Sequence, residues 1–306
     1  MANDMPKMGW VGLGNMGYPM AKLMVEAGYE VTVLDLDRAV VDRFVQEVGG
    51  KRADTLAEVG RESDVAITMV PDGKAVHAVA IEGGDNLSAG LADGTLVIDM
   101  SSSAPTGTVE LGAELSAKGV TLMDAPVSGG VPRATDGTLA IMLGGDDEAA
   151  LTRATPILEI MGGTVFRTGR LGSGHAMKCL NNYLSAIGLT AANEALIIGA
   201  KFGLDPSVMT DIINQSTGRN SNTERKLHQC VLSRTFDAGF SAALMAKDVR
   251  TAAGLADDQD MYAPVLAQLS ELWTKFSDEH PGEDHTASVK LWEEANGFEL
   301  KAGGAG

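Results

Sequence analysis

Six residues near the amino terminus, Gly12-Leu13-Gly14-Asn15-Met16-Gly17, restrict this chain more than any others. A short apolar run at 7–11 precedes them, and an amphipathic stretch at 15–27 follows, with Gly28 placed to stop it. Next comes Glu30-Val31-Thr32-Val33-Leu34, rich in β-branched residues and closing on Asp35. Strand, glycine turn, helix and strand in this order describe a βαβ unit with parallel strands. Each glycine has a steric reason. Gly12 permits the tight turn, Gly14 lets backbone approach a pyrophosphate, and Gly17 lets helix and strand pack closely, with the helix N-terminus facing the phosphates. A glycine turn alone is common. The preceding strand, the following helix and the acid ending the next strand make Gly12, Leu13, Gly14, Asn15, Met16 and Gly17 a dinucleotide loop.

Asp35 lies about 20 residues beyond Gly14, where a carboxylate accepts hydrogen bonds from ribose hydroxyls and repels a 2′-phosphate. The expected cofactor is therefore NAD rather than NADP. Arg38 stands close enough to reach a phosphate, but it reads as a solvated residue in the first turn of a helix.

Beyond this unit, strands are expected at 65–70, 95–98, 120–124, 139–143 and 164–167. Helices are expected between them at 39–48, 73–80, 106–117 and 147–161. Alternation of this kind predicts an α/β, Rossmann-type, doubly wound and mostly parallel sheet. After residue 169 the pattern holds no further strand. A long helix over 174–202 stops at Gly203, and Asp205-Pro206 restarts the chain with an N-cap and a first-turn proline. More helices are expected at 222–232, 242–257, 263–276 and 286–295. The chain thus divides into a dinucleotide-binding domain, 1–169, and an all-α domain, 170–306, joined by the long helix. The Gly/Ala tail at 302–306 is expected to fray.

The 306 residues suffice for about two domains. A formal net charge of −17 disfavours nucleic acid as a partner and requires a local positive pocket for any anionic substrate. Two cysteines, Cys179 and Cys230, make no disulfide framework and fit a reducing, cytoplasmic setting. Residues 1–10 show no secretory leader. The apolar stretch at 183–200 contains Asn193 and Glu194, so it reads as a buried helix rather than a membrane span. Such a helix needs more cover than a small domain gives, which points to a homo-oligomer. The five histidines show no metal-ligand spacing, and none of the serines lies in a nucleophile elbow.

Lys178 opens this helix after Gly172-Ser173-Gly174-His175-Ala176-Met177. A cation there is costly to bury, so it carries a function. Asn182, four residues on, projects from the same helix face, and an ammonium and an amide aimed at one point suit a substrate oxygen. Burial would lower the lysine pKa toward the range useful for proton transfer. Asp124-Ala125-Pro126-Val127-Ser128-Gly129-Gly130 follows a strand. Ser128, Gly129 and Gly130 offer successive N–H groups and a hydroxyl that suit a carboxylate, or they form a plain flexible turn. Lys247, beside Asp248, reads as a solvated helix charge. Two strand ends, Met69-Val70-Pro71-Asp72 and Asp99-Met100-Ser101-Ser102, border the expected cofactor edge, and spacing alone does not separate contact from ordinary loop chemistry.

Taken together, these segments resemble the β-hydroxyacid dehydrogenase family. The resemblance runs over nearly the whole chain. It is carried by the glycine loop with Pro19-Met20-Ala21, by 124–130, by 172–182, by Met245-Ala246-Lys247-Asp248 and by Ser216-Thr217-Gly218-Arg219. It implies NAD-dependent interconversion of a short 3-hydroxy acid and its semialdehyde. Lys178 would be the general acid/base, Ser128, Gly129 and Gly130 would hold the substrate carboxylate, and Asn182 would orient the substrate. Val70, Pro71, Ser102 and Lys247 would contact the cofactor. Two departures stand out: serine at 102 for the usual threonine, and alanine at 75 for an asparagine. A second reading within the family is reduction of a more polar substrate such as tartronate semialdehyde. Val131, Arg133 and Phe240, expected near the far end of the substrate, do not decide between them. From another class, a catalytically silent dinucleotide-binding module would be expected to lose Lys178, as would the related imine-reducing enzymes.

Overall fold

The computed structural model describes residues 5–301, so the tail at 302–306 and the first four residues of the amino-terminal stretch lie outside the described residues. The chain forms two compact units, one ending at Lys178 and the other starting at Cys179. The sequence pattern sets the boundary at 169/170, where strands cease; the compact first unit also keeps the opening of the long helix.

The first unit runs β1 (Met8–Val11), α1 (Gly17–Glu26), β2 (Val31–Leu34), α2 (Arg38–Glu47), β3 (Lys51–Arg52), α3 (Leu56–Arg61) and β4 (Val65–Thr68). It continues with α4 (Gly73–Ile81), β5 (Leu96–Asp99), α5 (Pro105–Ser116), β6 (Thr121–Asp124), β7 (Val127–Ser128), α6 (Gly130–Thr135), β8 (Leu139–Gly144), α7 (Glu148–Leu158) and β9 (Gly162–Gly169). One nine-stranded sheet has the order β3-β2-β1-β4-β5-β6-β8-β7, with β9 on β8. Strands β1 to β6 pair in parallel, and β8 is antiparallel to both β6 and β7. Alternate residues of the central strands enter two different cores. Met8, Trp10, Val65, Ile67, Leu96 and Ile98 pack on one face, and Val11, Ala66 and Val97 on the other. Both faces of the parallel sheet are therefore covered, as its hydrogen-bonding geometry and continuous apolar strands require. Each fully buried large side chain contributes roughly 1.5–3 kcal/mol.

Five short elements escaped the sequence reading: β3, α3, β7, α6 and a 3-10 turn at Leu87–Ala89. All have six residues or fewer, too short for a hydrophobic period to register. Helix α1 starts at Gly17, later than expected, because Asn15 and Met16 complete the glycine turn.

The helix α8 (Ser173–Phe202) runs through the division of the units. Within the second unit its Ala186, Leu189, Leu196, Ile197 and Ala200 are buried at helical spacing. The second unit then contains α9 (Pro206–Asn214), α10 (Ser221–Arg225), a π-helical segment at Leu227–Leu232, α11 (Ala242–Asp258), α12 (Pro264–Glu279), a 3-10 turn at His285–Val289 and α13 (Lys290–Asn296). Asp205 caps α9, its carboxylate accepting from the Ser207 and Val208 N–H groups. The expected single helix over 222–232 is two pieces. The Val231 N–H reaches back to the Lys226 carbonyl, an i→i+5 bond, and Leu227, Cys230, Val231 and Leu232 are all buried. Likewise 286–295 divides into a 3-10 turn and α13.

The tightest glycine in the βαβ unit is Gly17, where a β-carbon would lie 2.0 Å from the Gly12 carbonyl oxygen. That neighbour is backbone and cannot swing aside. Gly17→Ala is expected to lower the unfolding free energy in urea titrations by about 1–3 kcal/mol.

Candidate active site

The parallel strands end in one row. Val11 pairs with Leu34 and Thr68, Thr68 with Asp99, and Asp99 with Asp124, so the carboxyl edge of the sheet is level from β2 to β6. The chain reverses strand order around β1, between β2 and β4, and the crevice at such a switch point receives ligands. Gly12 sits there with φ +101°, and a β-carbon on it would be 2.2 Å from the Met69 carbonyl oxygen and 3.2 Å from Val70. The glycine turn and the β4 end thus form one wall. The Trp10 indole N–H donates to the Gly12 carbonyl at 2.9 Å and fixes the turn from below.

Two features of this wall face outward. A β-carbon on Gly14 would meet nothing within 4 Å, so the fold itself does not require glycine there. A ligand approaching the backbone does. Moreover, α2, α3, α4 and α7 begin with side-chain caps from Asp37, Thr55, Asp72 and Asp147, whereas α1, like α5 and α6, has no side-chain cap. Its N-terminal N–H groups and positive dipole end suit a pyrophosphate. The residues present fit a dinucleotide.

Asp35 follows β2 and is half-buried. It accepts from the Leu13 N–H at 2.6 Å and from the Asp37 N–H at 2.8 Å. These bonds hold the carboxylate against the glycine turn and leave lone pairs for ribose hydroxyls. Arg38 is exposed in the first turn of α2. At the next strand ends, the Val70 N–H donates to Ser101 Oγ at 3.0 Å, which joins Val70-Pro71 to Ser101-Ser102 along the same edge. Gly12–17, Asp35, Val70, Pro71 and Ser102 therefore share one edge of the first unit.

Below that edge lies a buried polar group that sequence reading did not single out. Asp99, Asp124 and His175 are at most 1% exposed. Asp99 accepts from Thr68 Oγ1, Ser103 Oγ and the Ser101 N–H at 2.8–2.9 Å. The His175 ring lies 3.5 Å from Asp99 Oδ2 and 3.7 Å from Asp124 Oδ2, and its Nδ1 is 2.8 Å from Thr108 Oγ1. Asp124 accepts the Gly172 N–H on Oδ1 and the His175 N–H on Oδ2, both at 2.8 Å. This strand-end carboxylate thus caps the first turn of α8 from outside the helix. Burial pushes its carboxyl above the usual range; the His175 ring and the two N–H donors only partly oppose the rise. Gly174 makes the approach possible, since a β-carbon there would lie 2.2 Å from the Met142 carbonyl oxygen. Lys178, half-buried, follows on this anchored helix.

Ser128 ends the edge strand β7, opposite Ala140 of β8. Gly129 (φ +143°) and Gly130 (φ +69°) then turn the chain into α6. The segment is an ordered strand-to-helix turn. A β-carbon at Gly129 would fall 2.6 Å from the Arg133 side chain, which is exposed.

In the second unit, Asn182 and Lys247 are brought together by Asp248. The Asn182 amide donates to Asp248 Oδ2 at 2.5 Å, and Lys247 Nζ lies 3.2 Å from Oδ1. Asp248 is 3% exposed. Lys247 is half-buried and paired, not the solvated charge its sequence context implied. The adjacent Asn182 and Asp248 are far apart in sequence, and only the MAKD string hinted at the acid. Burial, with Asp248 nearby, pushes the Cys179 thiol up to about 12, so it behaves as core.

Comparison with known proteins settles the lineage. Residues 7–169 match the model of the NAD binding domain of 6-phosphogluconate dehydrogenase, and residues 172–292 match that of the NAD-binding domain of NADP-dependent 3-hydroxyisobutyrate dehydrogenase. The chain is 36% identical to a 3-hydroxyisobutyrate dehydrogenase of Pseudomonas aeruginosa, covering 94% of this chain and 99% of that one. The chain belongs to the β-hydroxyacid dehydrogenase family. It is also 34% identical to a 2-(hydroxymethyl)glutarate dehydrogenase of Eubacterium barkeri, covering 97% and 98% of the two chains. A solved structure of Mycobacterium tuberculosis 3-hydroxyisobutyrate dehydrogenase with L-serine superimposes with a TM-score of 0.84 at 32% identity, covering 94% of this chain and 99% of that one. Like other members of the family, the chain is a nicotinamide-dependent oxidoreductase acting on hydroxy acids and their semialdehydes. The relatives' activities do not favour the silent-module reading.

Two substitutions separate cofactor chemistry from helix anchoring. Gly14→Ala is expected to leave stability within about 0.5 kcal/mol, while weakening dinucleotide affinity by about tenfold or more in a fluorescence titration. Asp124→Ala orphans two buried N–H groups and is expected to cost about 2 kcal/mol or more in urea unfolding.

Proposed function

We propose that the enzyme catalyses the reversible oxidation of a short 3-hydroxy acid to its semialdehyde, with Lys178 as general acid/base and NAD as the preferred cofactor. The observation that carries the reading is the anchored start of α8: a buried carboxylate holds the first turn, and Lys178 follows it directly. The compounds named for the relatives support the substrate class. 3-Hydroxyisobutyrate, 2-(hydroxymethyl)glutarate and L-serine all carry a hydroxyl on the carbon β to a carboxylate.

Ser128, Gly129 and Gly130 would bind the carboxylate through N–H groups and the hydroxyl. Asn182 would orient the substrate, and Asp248 would hold the Asn182 amide so that its carbonyl oxygen remains directed. Lys178 takes the proton from the hydroxyl oxygen during oxidation and returns it to that oxygen during reduction. Gly12, Leu13, Gly14, Asn15, Met16, Gly17, Asp35, Val70, Pro71, Ser102 and Lys247 would hold the cofactor, whose nicotinamide supplies the hydride chemistry. Asp35 supports NAD over NADP, because its fixed carboxylate would repel a 2′-phosphate.

The buried, undisulfided Cys179 and Cys230 support a reducing compartment such as the cytoplasm. Exposed Leu184, Ile198 and Phe202 on α8, with Val208 and Ile212 on α9, support a homodimer or homotetramer.

Lys178→Ala should abolish turnover, with NAD affinity changed by less than about threefold. Parallel loss of both would make Lys178 structural. Michaelis curves should show a lower KM for NAD than for NADP; the reverse order would refute the role given to Asp35. Light scattering should return more than one chain per particle, and a monomer would overturn the assembly reading.

A further inference from the structure

The His175 ring meets three elements of the first unit: Thr108 on α5, Asp99 at the end of β5 and Asp124 at the end of β6. The Thr108 hydroxyl donates to the Ala104 carbonyl at 3.1 Å. In its 2.8 Å contact with His175 Nδ1 the hydroxyl oxygen therefore accepts, and the ring donates. Nε2 is fully buried, has no hydrogen-bond partner among the described residues, and lies 3.5 Å from Asp99 Oδ2. A bare lone pair facing a buried carboxylate is repulsive, so Nε2 carries a proton as well. His175 is then an imidazolium set between two buried acids, with Asp124 Oδ2 3.7 Å from Nδ1.

Asp99 carries this contact to the cofactor edge. Its Oδ1 accepts from Thr68 Oγ1 and the Ser101 N–H, each at 2.9 Å, and its Oδ2 accepts from Ser103 Oγ at 2.8 Å. Ser101 Oγ in turn accepts the Val70 N–H at 3.0 Å. Val70 lies against the glycine turn, and Ser103 lies against the start of α4, where a β-carbon on Gly73 would be 3.2 Å from Ser103 Cβ. Thr68, Asp99, Ser101 and Ser103 are all at most 7% exposed. One set of buried polar contacts thus runs from α8, through His175 and Asp99, to the wall behind the dinucleotide loop. The Asp99 oxygens take three donors without His175, so the ring is not needed to satisfy them. It supplies the opposite charge and ties α8 to this edge. The tie is separate from the backbone anchor on Asp124, which uses the N–H of residue 175 and survives a change of its side chain.

We propose that His175 and Asp99 are positioning residues that lock the strand ends at Val70 and Ser101 to the start of α8, so that dinucleotide affinity and the placement of Lys178, three residues after His175, are set by one buried pair. The Lys178 half rests on the function proposed above. The dinucleotide half rests on contacts within the first unit alone.

The test uses the whole chain, with NADH affinity read by fluorescence titration and kcat by turnover of 3-hydroxyisobutyrate at saturating NAD. His175→Gln can place an N–H near the position of Nε2 and keep the contact with Asp99, whereas His175→Asn keeps only the donor toward Thr108. His175→Asn should weaken NADH binding about tenfold and lower kcat about tenfold, and His175→Gln should stay within about threefold of the unmodified enzyme in both. Ser101→Ala, which removes the acceptor of the Val70 N–H farther along, should weaken NADH binding about fivefold and serves if His175→Asn does not fold. The double variant should bind NADH no more than about twofold more weakly than His175→Asn alone, because both changes break the same run of contacts. Equal losses in the Gln and Asn variants, unchanged NADH affinity in Ser101→Ala, or multiplying losses in the double variant would overturn the proposal. Turnover surviving in Lys178→Ala would instead remove the function proposed above and leave the dinucleotide half standing.

Discussion

One carboxylate organises the first unit. Asp124 ends β6 fully buried and receives two N–H groups from the start of α8. A helix N-terminus brought against a sheet edge otherwise leaves donors without partners, and each buried orphan costs about 1–3 kcal/mol. An acid at the strand end removes that cost and adds a favourable charge–dipole interaction. The contact demands close approach, which Gly174 permits and a β-carbon would block. Beneath it, His175 separates Asp124 from Asp99. Two buried carboxylates so near each other need a polar group between them. The arrangement makes the start of α8 a fixed point from which a functional side chain can be aimed.

The cofactor edge works by the opposite principle. There, donors are left unpartnered by side chains. Helix α1 lacks the side-chain cap found on α2, α3, α4 and α7, and Gly14 opens onto empty space. The local fold thus has a place for an anion that it does not itself supply. Asp35 is held against this turn by the Leu13 N–H, so one residue both supports the loop and addresses the ribose.

In the second unit, acids again do the aligning. Asp248 joins Asn182 to Lys247, and Asp284 with His285 fixes Phe240 at the head of α11. The Asn182–Asp248 and Phe240–Asp284 contacts span separations of 66 and 44 residues. In each, a short, rigid carboxylate fixes a group on a different element.

The amino-acid sequence by itself determined the βαβ unit, the parallel sheet, the change to helices after residue 169, and the roles open to Gly12, Gly14, Gly17, Asp35 and Lys178. Those signals are local: periodicity, a glycine spacing and a strand-end acid each follow from backbone geometry within one unit of structure. Short elements such as α3, α6 and β7 left no period to read, and the π-helical turn at Leu227–Leu232 looks like ordinary helix in composition. Only the tertiary structure decided that Asp124 caps α8, that His175 lies between two acids, that Lys247 is half-buried beside Asp248, and that Asp284 and His285 clamp Phe240. The reason is physical. A buried hydrogen bond is made by whichever groups the packed chain brings within about 3 Å, and linear sequence carries almost no record of partners that lie tens of residues apart.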